Sequence, residues 1–484
     1  MSPALFLLSG LISGAALAEG PSEFYGDVRV TGAQLTEIPV DAEGNTAGGE
    51  PWLDQRFRVG LGGAFGPEDR ISLIFEGDLF TGIGFGEPYA AVDERSRVAA
   101  SADGFKPRKA QLTLAPDFGR ISVGLTTSHW GLGLVANDGD HDPWFGLSEL
   151  GDRTLRASLT TGAFGQDDLY FSVSADRVLA DDIARWSEEQ AAWQGVAALY
   201  YATERTRGGV YGVYRYQREQ AEERVTRVGV ADGFVDHSWE GPGVTWLRFQ
   251  AEAAGILGGT DRSTTYNSRE AVAVMSGGAT GSLQIKSDED ALWAITTRAG
   301  WASGDADPDD GVIRDFTFDR EFDVGMVLFD QVLGGAEGAT YALLSDPENS
   351  GQPPDGVDAI ATEGAFRRAA FVQPILDVNP HRVLLLRLGV SASWTTAPHT
   401  QPFYTYRAGG TATNHYDTAA EGRLLGTEIN WLVSAHDLLQ GTEKRSNIRP
   451  DITVQGGHLL VGPALAGPGP DRIDLFLATG RLRW

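Results

Sequence analysis

The feature that most constrains the fold is a segment of about ten residues, repeated along the chain, in which apolar and polar side chains alternate. In one such segment Ile71 and Phe75 share a face, whereas Glu76 and Asp78 point to the other face. A period of two predicts a strand with one apolar and one polar side. The length suits a tilted strand that crosses a membrane.

The alternating pattern recurs over most of the chain, at 56–61, 71–79, 110–114, 121–125, 169–173, 295–301, 384–394 and 429–435. Tight turns at 115–119 and 377–380 are predicted to alternate with long polar loops at 81–104 and 396–421, and segment 182–192 has the composition of a loop helix. These features predict an all-β fold, a transmembrane antiparallel β-barrel of about 18 strands (16 to 18), with short periplasmic turns and long extracellular loops. A soluble β-sandwich is the alternative.

The two ends of the chain predict export and assembly into an outer membrane. Residues 1–18 contain an apolar run and finish in Ala16-Leu17-Ala18, which predicts a cleavable signal peptide, although no Lys or Arg precedes Arg29. A buried N-terminal helix is the weaker alternative. The last strand ends in Trp484, as in chains that the barrel-assembly machinery recognises. We therefore predict one outer-membrane barrel domain over 19–484.

Charge narrows the range of partners. The formal net charge of -27 argues against nucleic acid, because a phosphate backbone requires a basic face. Residues 303–362 hold fourteen acids against Arg314 and Arg320, and this long acidic loop is predicted to bind cations that bridge lipopolysaccharide or to fold inward as a constriction. The run from Asp305 resembles an EF-hand opening, but Phe316 stands where a bidentate Glu is required. Weak Ca²⁺ binding there, and at 137–142, is the alternative to a merely solvated charged loop.

Charged side chains on the polar faces of the strands are the candidate pore lining. Arginine on a lipid-facing surface would cost about 2 to 4 kcal/mol near the membrane midplane, so these residues are expected to face the lumen. A ring of guanidinium groups would favour anions, whereas pairing with inward acids would leave little net field. Both interpretations remain open at this stage. The candidates are Arg56, Arg58, Glu76, Asp78, Arg215, Arg248, Glu252, Arg298, Arg387 and Glu428.

The sequence gives little support for an enzyme. Ser128 and His129 are adjacent, and adjacent residues on a strand point to opposite faces, so they cannot act as nucleophile and base there. No hydrolase, zinc-protease or phosphate-binding motif is present, and no cofactor or metal site is predicted.

Two short motifs carry a resemblance to a family. Ala302-Ser303-Gly304-Asp305 leads from a strand into the acidic loop, and Leu425-Gly426-Thr427-Glu428-Ile429-Asn430 opens a late strand. With the length and the strand number, these motifs resemble the alginate-export-like family of outer-membrane β-barrel porins. The resemblance implies a monomeric barrel with an arginine-lined lumen, and Arg298, Arg387 and Glu428 as the first lining candidates. The many inward acids depart from that pattern and put strong anion selectivity in doubt.

The sequence therefore predicts an outer-membrane porin or channel for passive passage or export of polar, and potentially acidic, solutes or saccharides. Its expected partners are outer-membrane lipid, lipopolysaccharide, the barrel-assembly machinery and small polar or anionic solutes. The alternative is a structural or adhesive barrel with cation-binding acidic loops. A channel requires an open lumen, and about 18 strands normally leave one.

Overall fold

The fold is described from a computed structural model that covers residues 23–86, 103–148, 151–162, 168–184, 190–219, 224–240, 246–263, 271–287, 292–307, 310–357, 360, 364–438 and 448–484. The predicted signal peptide at 1–18 lies outside the described residues. Most of the predicted loop at 81–104 also lies outside them.

The described part of the chain contains eighteen long strands. They are β1 (Glu23–Leu35), β2 (Trp52–Phe65), β3 (Ile71–Phe85), β4 (Asp103–Leu114), β5 (Arg120–Thr127), β6 (Arg153–Gly162), β7 (Leu169–Ala180), β8 (Gln190–Ala202), β9 (Thr206–Glu219), β10 (Val225–Glu240), β11 (Trp246–Thr260), β12 (Val272–Lys286), β13 (Trp293–Ala302), β14 (Ala369–His381), β15 (Leu384–Thr395), β16 (Leu424–Ala435), β17 (Arg449–Val461) and β18 (Arg472–Arg483).

Each long strand pairs antiparallel with its neighbours along the chain, and the sheet closes on itself. The closing pair joins β1 to β18, in register from Asp27 opposite Arg483 to Leu35 opposite Leu475. Closure leaves no open edge between the long strands, so the backbone polar groups are satisfied within the wall. The prediction of an antiparallel barrel of about 18 strands is confirmed.

Two local predictions are wrong. The turn predicted at 377–380 lies inside β14, which continues to His381 with a register shift between Val378 and His381. Pro380 is tolerated there because a proline at an irregularity removes no regular ladder hydrogen bond. The loop helix predicted over 182–192 is also wrong in its last part, since β8 already begins at Gln190.

Side chains alternate between the two faces of the wall. In β3, Phe75 is 53% exposed, whereas Glu76 and Asp78 are 7% and 0% exposed. The outward set is apolar all round the barrel, with Leu257 at 63% and Ile452 at 56% exposure. Such a continuous apolar exterior suits lipid and would not suit water. No helix in the described ranges is long and apolar enough to span a membrane.

Short turns and long loops lie at opposite ends of the barrel. The β2–β3 connection is the short turn with a 3-10 helix at Pro67–Asp69, and both ends of the described chain lie at this same end. There the Gly26 N–H donates to the Trp484 carbonyl oxygen at 3.2 Å. The helices lie in the long loops: a π-helix at Leu328–Leu333, α1 (Gly334–Ser345), α2 (Pro347–Ser350), α3 (Pro402–Arg407) and a 3-10 helix at Pro463–Leu465.

The main hydrophobic core of the described residues lies inside the barrel. Phe318 packs against Phe366 in a tilted arrangement and Phe366 packs edge-to-face against Phe371, with ring centroids 4.7 Å and 5.2 Å apart. Phe371 belongs to β14, and Phe318 belongs to the long loop between β13 and β14. The core is therefore formed by chain that folds back into the lumen, and this arrangement decides how much of the lumen stays open.

Candidate functional site

Two long loops turn into the barrel and narrow its lumen. We call residues 128–148, between β5 and β6, inner loop 1, and residues 315–333, between β13 and β14, inner loop 2. The loops contact each other: the Asn137 N–H donates to Asp319 Oδ2 at 2.9 Å, and the Asp319 N–H donates to the Leu134 carbonyl at 2.9 Å. Everything that crosses the barrel must pass beside this pair of loops.

Inner loop 1 is held at the wall by one carboxylate. Asp140 lies 2.6 Å from Arg58, 2.6 Å from Arg108 and 2.7 Å from Lys109, and the side chains of all three cations are buried. Burial by itself would raise the pKa of Asp140, but Arg108, Lys109 and Arg58 together hold it below its ordinary value. Charge-assisted bonds of this kind are stronger than neutral ones. Asp140 therefore anchors the loop.

The opposite side of inner loop 1 is bound to the inward faces of β10 and β11. Glu252 accepts hydrogen bonds from the backbone N–H groups of Leu132 and Leu134. Trp130 Nε1 donates to Asp232 Oδ1 at 2.9 Å. The loop thus bridges the lumen from one wall to the other.

Inner loop 2 is fixed mainly by Glu428 of β16. Its carboxylate accepts from the backbone N–H groups of Met326 at 2.6 Å, Val327 at 3.1 Å and Leu328 at 2.9 Å. Gln373 donates from Nε2 to the Val324 carbonyl at 2.5 Å. Side chains of the wall thus form hydrogen bonds with backbone N–H and carbonyl groups of the loop that would otherwise lack partners.

The structure places all ten predicted lining residues on the inward side of the strands. Eight are buried and two, Arg248 and Arg387, are half-buried. Glu252 and Glu428 differ from the other candidates because the inner loops that they bind cover them. Their exposed fractions are only 2% and 1%. They support the constriction and do not face the open part of the lumen.

The partners of the arginines bear on the two interpretations of their role. Most of them are paired with inward acids: Arg56 with Asp27 at 2.7 Å, Arg58 with Asp78 at 2.7 Å, Arg248 with Asp236 at 2.6 Å, Arg387 with Asp377 at 2.7 Å, and Arg215 with Asp181. Glu76 lies 3.0 Å from Arg108 and 3.2 Å from Lys109. The interpretation of the arginines as wall-knitting pairs is therefore the one that the geometry favours for these residues.

Arg298 differs from the other candidate arginines. Within the described ranges it has no carboxylate ion pair, and its guanidinium donates to Gln373 Oε1 at 2.8 Å and to the Asp323 carbonyl at 3.0 Å. Aromatic rings flank it, with the Phe322 ring centroid 5.3 Å away. It thus lacks the close ion pair of the other arginines, and the Asp323 carboxylate acts on it only at longer range.

Arg298 lies at a cavity of about 330 Å³ between the inner loops and the inward faces of β9, β10, β11 and β13. Three arginines and Asp236 of the wall line one side, and acids of the inner loops line the other. The charged lining residues are Arg207, Arg248, Arg298, Asp236, Asp142, Glu321 and Asp323, and the two imidazoles are His129 and His141. A volume of this size matches a small-molecule site.

Sequence reasoning missed the inner-loop residues of this cavity. The apolar run from Val324 to Phe329, inside a loop otherwise rich in acids, was the signal that this segment is buried. Segment 137–142 was interpreted only as solvated or as weakly binding Ca²⁺. Asp140 of this segment instead forms ion pairs with three buried cations. The possibility that the acidic loop folds inward was named, and inner loop 2 does so.

Comparisons with known proteins address the architecture. No protein-family model and no curated protein matches the chain. Among solved structures, OccK11 (OpdR) of Pseudomonas aeruginosa aligns with a TM-score of 0.53 at 12% identity, over 98% of this chain and 99% of its own. OccAB1 of Acinetobacter baumannii gives 0.53 at 10% identity, over 98% and 99%, and OccD3 (OpdP) of Pseudomonas aeruginosa gives 0.54 at 9%, over 97% and 92%. The barrel has the Occ fold.

The Occ fold, the closed sheet and the apolar exterior place this protein in a bacterial outer membrane. At such low identity the likeness to Occ proteins shows the fold and assigns no solute. The resemblance to alginate-export-like porins remains a prediction, because the comparisons support the outer-membrane barrel and not that subfamily.

Proposed function

We propose that this protein is a substrate-selective outer-membrane channel for small polar solutes that carry a carboxylate group. The observation that carries the proposal is the cavity of about 330 Å³. Its wall carries Arg298 together with Arg207 and Arg248, which share Asp236, and its inner-loop side carries carboxylates. A solute that enters it meets two charged surfaces across a short distance.

The charge arrangement supports a preference for carboxylates over neutral sugars. Arg298 offers a guanidinium with no carboxylate ion pair in the described ranges, and Arg forks bind carboxylates through two parallel hydrogen bonds. The opposing acids Glu321 and Asp323 line the same cavity and would bind hydroxyl or ammonium groups of the solute. Weak binding at such a site speeds entry without trapping the solute.

The size of the cavity supports single small solutes as cargo in place of a polysaccharide chain. The inner loops are bound to both walls through Asp140, Glu252 and Glu428, so a thicker cargo would have to break several charge-assisted bonds. The bound inner loops therefore disfavour export of a polyuronate, which the resemblance to alginate-export-like porins would imply.

The test is single-channel recording of the refolded protein in a planar bilayer, with reversal potentials in asymmetric salt. Arg298→Gln removes one lumen cation and is expected to shift the permeability ratio towards cations. Asp323→Asn is expected to shift it towards anions. Addition of a small dicarboxylate should reduce the ion current through the wild type at lower concentration than a neutral sugar of similar size, and Arg298→Gln should remove that difference.

The matched control is Arg70→Gln. Arg70 belongs to the short turn between β2 and β3, where it pairs with Glu68 outside the lumen at 2.5 Å. Arg70→Gln removes one positive charge, as Arg298→Gln does, but at the end of the barrel. The ion selectivity should therefore stay at the wild-type value. Equal selectivity in wild type, R298Q and D323N would refute the proposed site, and absence of any conductance would favour the closed structural or adhesive barrel.

A further inference from the structure

Inner loop 1 brings two histidines and an aspartate together at the edge of the cavity. The rings of His129 and His141 lie with centroids 4.5 Å apart. Both Nδ1 atoms are close to Asp138 Oδ1, at 3.6 Å and 3.3 Å. One ligand atom from each of the three residues lies within 4.8 Å of the other two. This grouping was not apparent from the sequence, in which the three residues are spread over a loop with no metal-binding motif.

Polar atoms at this cluster lack hydrogen-bond partners. Asp138 is fully buried and His129 is 8% exposed. Among the described residues, His129 Nδ1 and Asp138 Oδ2 have no hydrogen-bond partner. A buried carboxylate oxygen without a partner costs about 1 to 3 kcal/mol or more, so native proteins rarely keep one without a function for it.

The two N···O distances at Asp138 are longer than a strong ion pair and match the ligand spacing around a bound metal. Charge-assisted N–H···O bonds are about 2.7 to 2.9 Å long, and the His458–Asp474 pair of this protein has that length at 2.7 Å. His141 Nδ1 forms a long hydrogen bond of 3.3 Å with Asp138 Oδ1, and His129 Nδ1 lies 3.6 Å from the same oxygen. A tetrahedral ion with bonds of about 2.0 to 2.2 Å holds its ligand atoms about 3.3 to 3.5 Å apart.

The surroundings leave the Asp138 carboxylate available to a cation. The neighbouring cations Arg58, Arg108 and Lys109 are already neutralised by Asp140, Asp78 and Glu76. Asp138 itself is oriented by its neighbours, since the Asp140 N–H donates to Oδ1 at 3.1 Å and Arg108 donates to its carbonyl at 2.9 Å. Such outer contacts fix the direction of a ligand.

We propose that His129, Asp138 and His141 bind a divalent transition-metal ion of the zinc type in the lumen. Two imidazoles and one carboxylate are the ligands that such ions prefer, and hard cations such as Ca²⁺ prefer all-oxygen sites. His129 and His141 line the cavity, so an ion bound by them would lie at its edge. The bound ion tightens inner loop 1 and adds positive charge beside the acids of the cavity. The site is independent of which solute the channel passes.

The test is equilibrium dialysis of the full-length protein, refolded in detergent and stripped with EDTA, against ZnCl₂ in a millimolar excess of CaCl₂. The Ca²⁺ saturates acidic loops that bind divalent ions without selectivity. We expect about one Zn²⁺ per chain. His129→Ala and His141→Ala should each weaken Zn²⁺ binding at least about tenfold, as loss of a ligand or its support does in metal sites. Replacement of Zn²⁺ by Co²⁺ should give the visible absorption of a four-coordinate ion.

His381→Ala is the matched control, because His381 is exposed at the end of β14 and far from the cluster in the barrel order. It should leave Zn²⁺ binding unchanged. His141 is the exposed member of the cluster, so His141→Ala is expected to fold, which heat-modifiable mobility on SDS gels would verify. Absence of Zn²⁺ binding by the wild type, or wild-type affinity in folded H141A, would overturn the proposal whether or not the protein conducts ions.

Discussion

At the residue scale, a few carboxylates of the wall decide the shape of the lumen. Glu428 and Glu252 look like ordinary inward acids in the sequence, and their alternation with apolar neighbours correctly predicted the face on which they lie. Alternation alone could not show that they bind loop backbone. That role depends on chain distant in sequence, such as Met326 for Glu428.

Glu428→Gln is expected to loosen inner loop 2. The amide keeps the size of the side chain but removes the charge that strengthens three hydrogen bonds, so the free energy of unfolding should fall by roughly 2 kcal/mol. The conductance should rise, with more current noise. Urea unfolding and single-channel recording measure these effects. Glu50→Gln, the same change at an exposed position between β1 and β2, serves as the control. Wild-type conductance in E428Q would show that inner loop 2 is held by other contacts.

At the element scale, the strands were predictable and the loops were not. A period of two is a local property, so segments such as 71–79 and 295–301 show their strand character without knowledge of the rest of the molecule. Inner loop 2 has no local period. Its position follows from Phe318 and Phe322 packing inside the closed wall, which exists only after the barrel has formed.

The loop from 396 to 423 should loosen in acid. Burial lowers the pKa of His415 to about 3, from an ordinary 6.5, and burial next to His415 lowers that of His399 as well. An unpacked loop takes up protons near pH 6.5 whereas the packed loop does not, so packing stability is lost as pH falls from 6.5 towards 3. Hydrogen exchange of the Gln401 and Asn414 amides, corrected for intrinsic rates, should therefore quicken over that range.

The double variant H399Q/H415Q tests the source of this pH dependence. Glutamine does not titrate, so the exchange rates of the same amides should become nearly independent of pH between 6.5 and 4. His381→Gln, which removes an exposed imidazole, should keep the wild-type dependence. A pH dependence that persists in H399Q/H415Q would assign it to the acids of the loop.

At the scale of the whole molecule, closure between β1 and β18 holds the barrel together. Asp27 of β1 lies 2.7 Å from Arg56 of β2 and 2.6 Å from Arg481 of β18, so one carboxylate links three strands across the seam. The sequence predicted a closed barrel and inward arginines. It could not predict which acid each arginine meets, because that depends on the register between the first and last strands.

Asp27→Asn should weaken the seam. The buried guanidinium of Arg56 and the half-buried guanidinium of Arg481 lose their shared charge partner. We expect the free energy of unfolding to fall by roughly 2 kcal/mol, below the cost for a fully buried pair because Asp27 and Arg481 are partly exposed. Asp142→Asn removes the exposed partner of the same Arg481 and should cost less than about 1 kcal/mol. Urea unfolding of both variants gives the comparison, and equal losses would contradict a special role for Asp27.

The most direct test of the whole account is single-channel conductance before and after inner loop 2 is removed. Residues 316–333 would be replaced by a Gly/Ser linker in the refolded protein, and conductance recorded in a planar bilayer. We expect small, discrete and ion-selective conductance in the wild type, and a several-fold larger and less selective conductance in the variant. No conductance in either protein, although both fold into heat-modifiable barrels, would contradict a channel whose width is set by the inner loops.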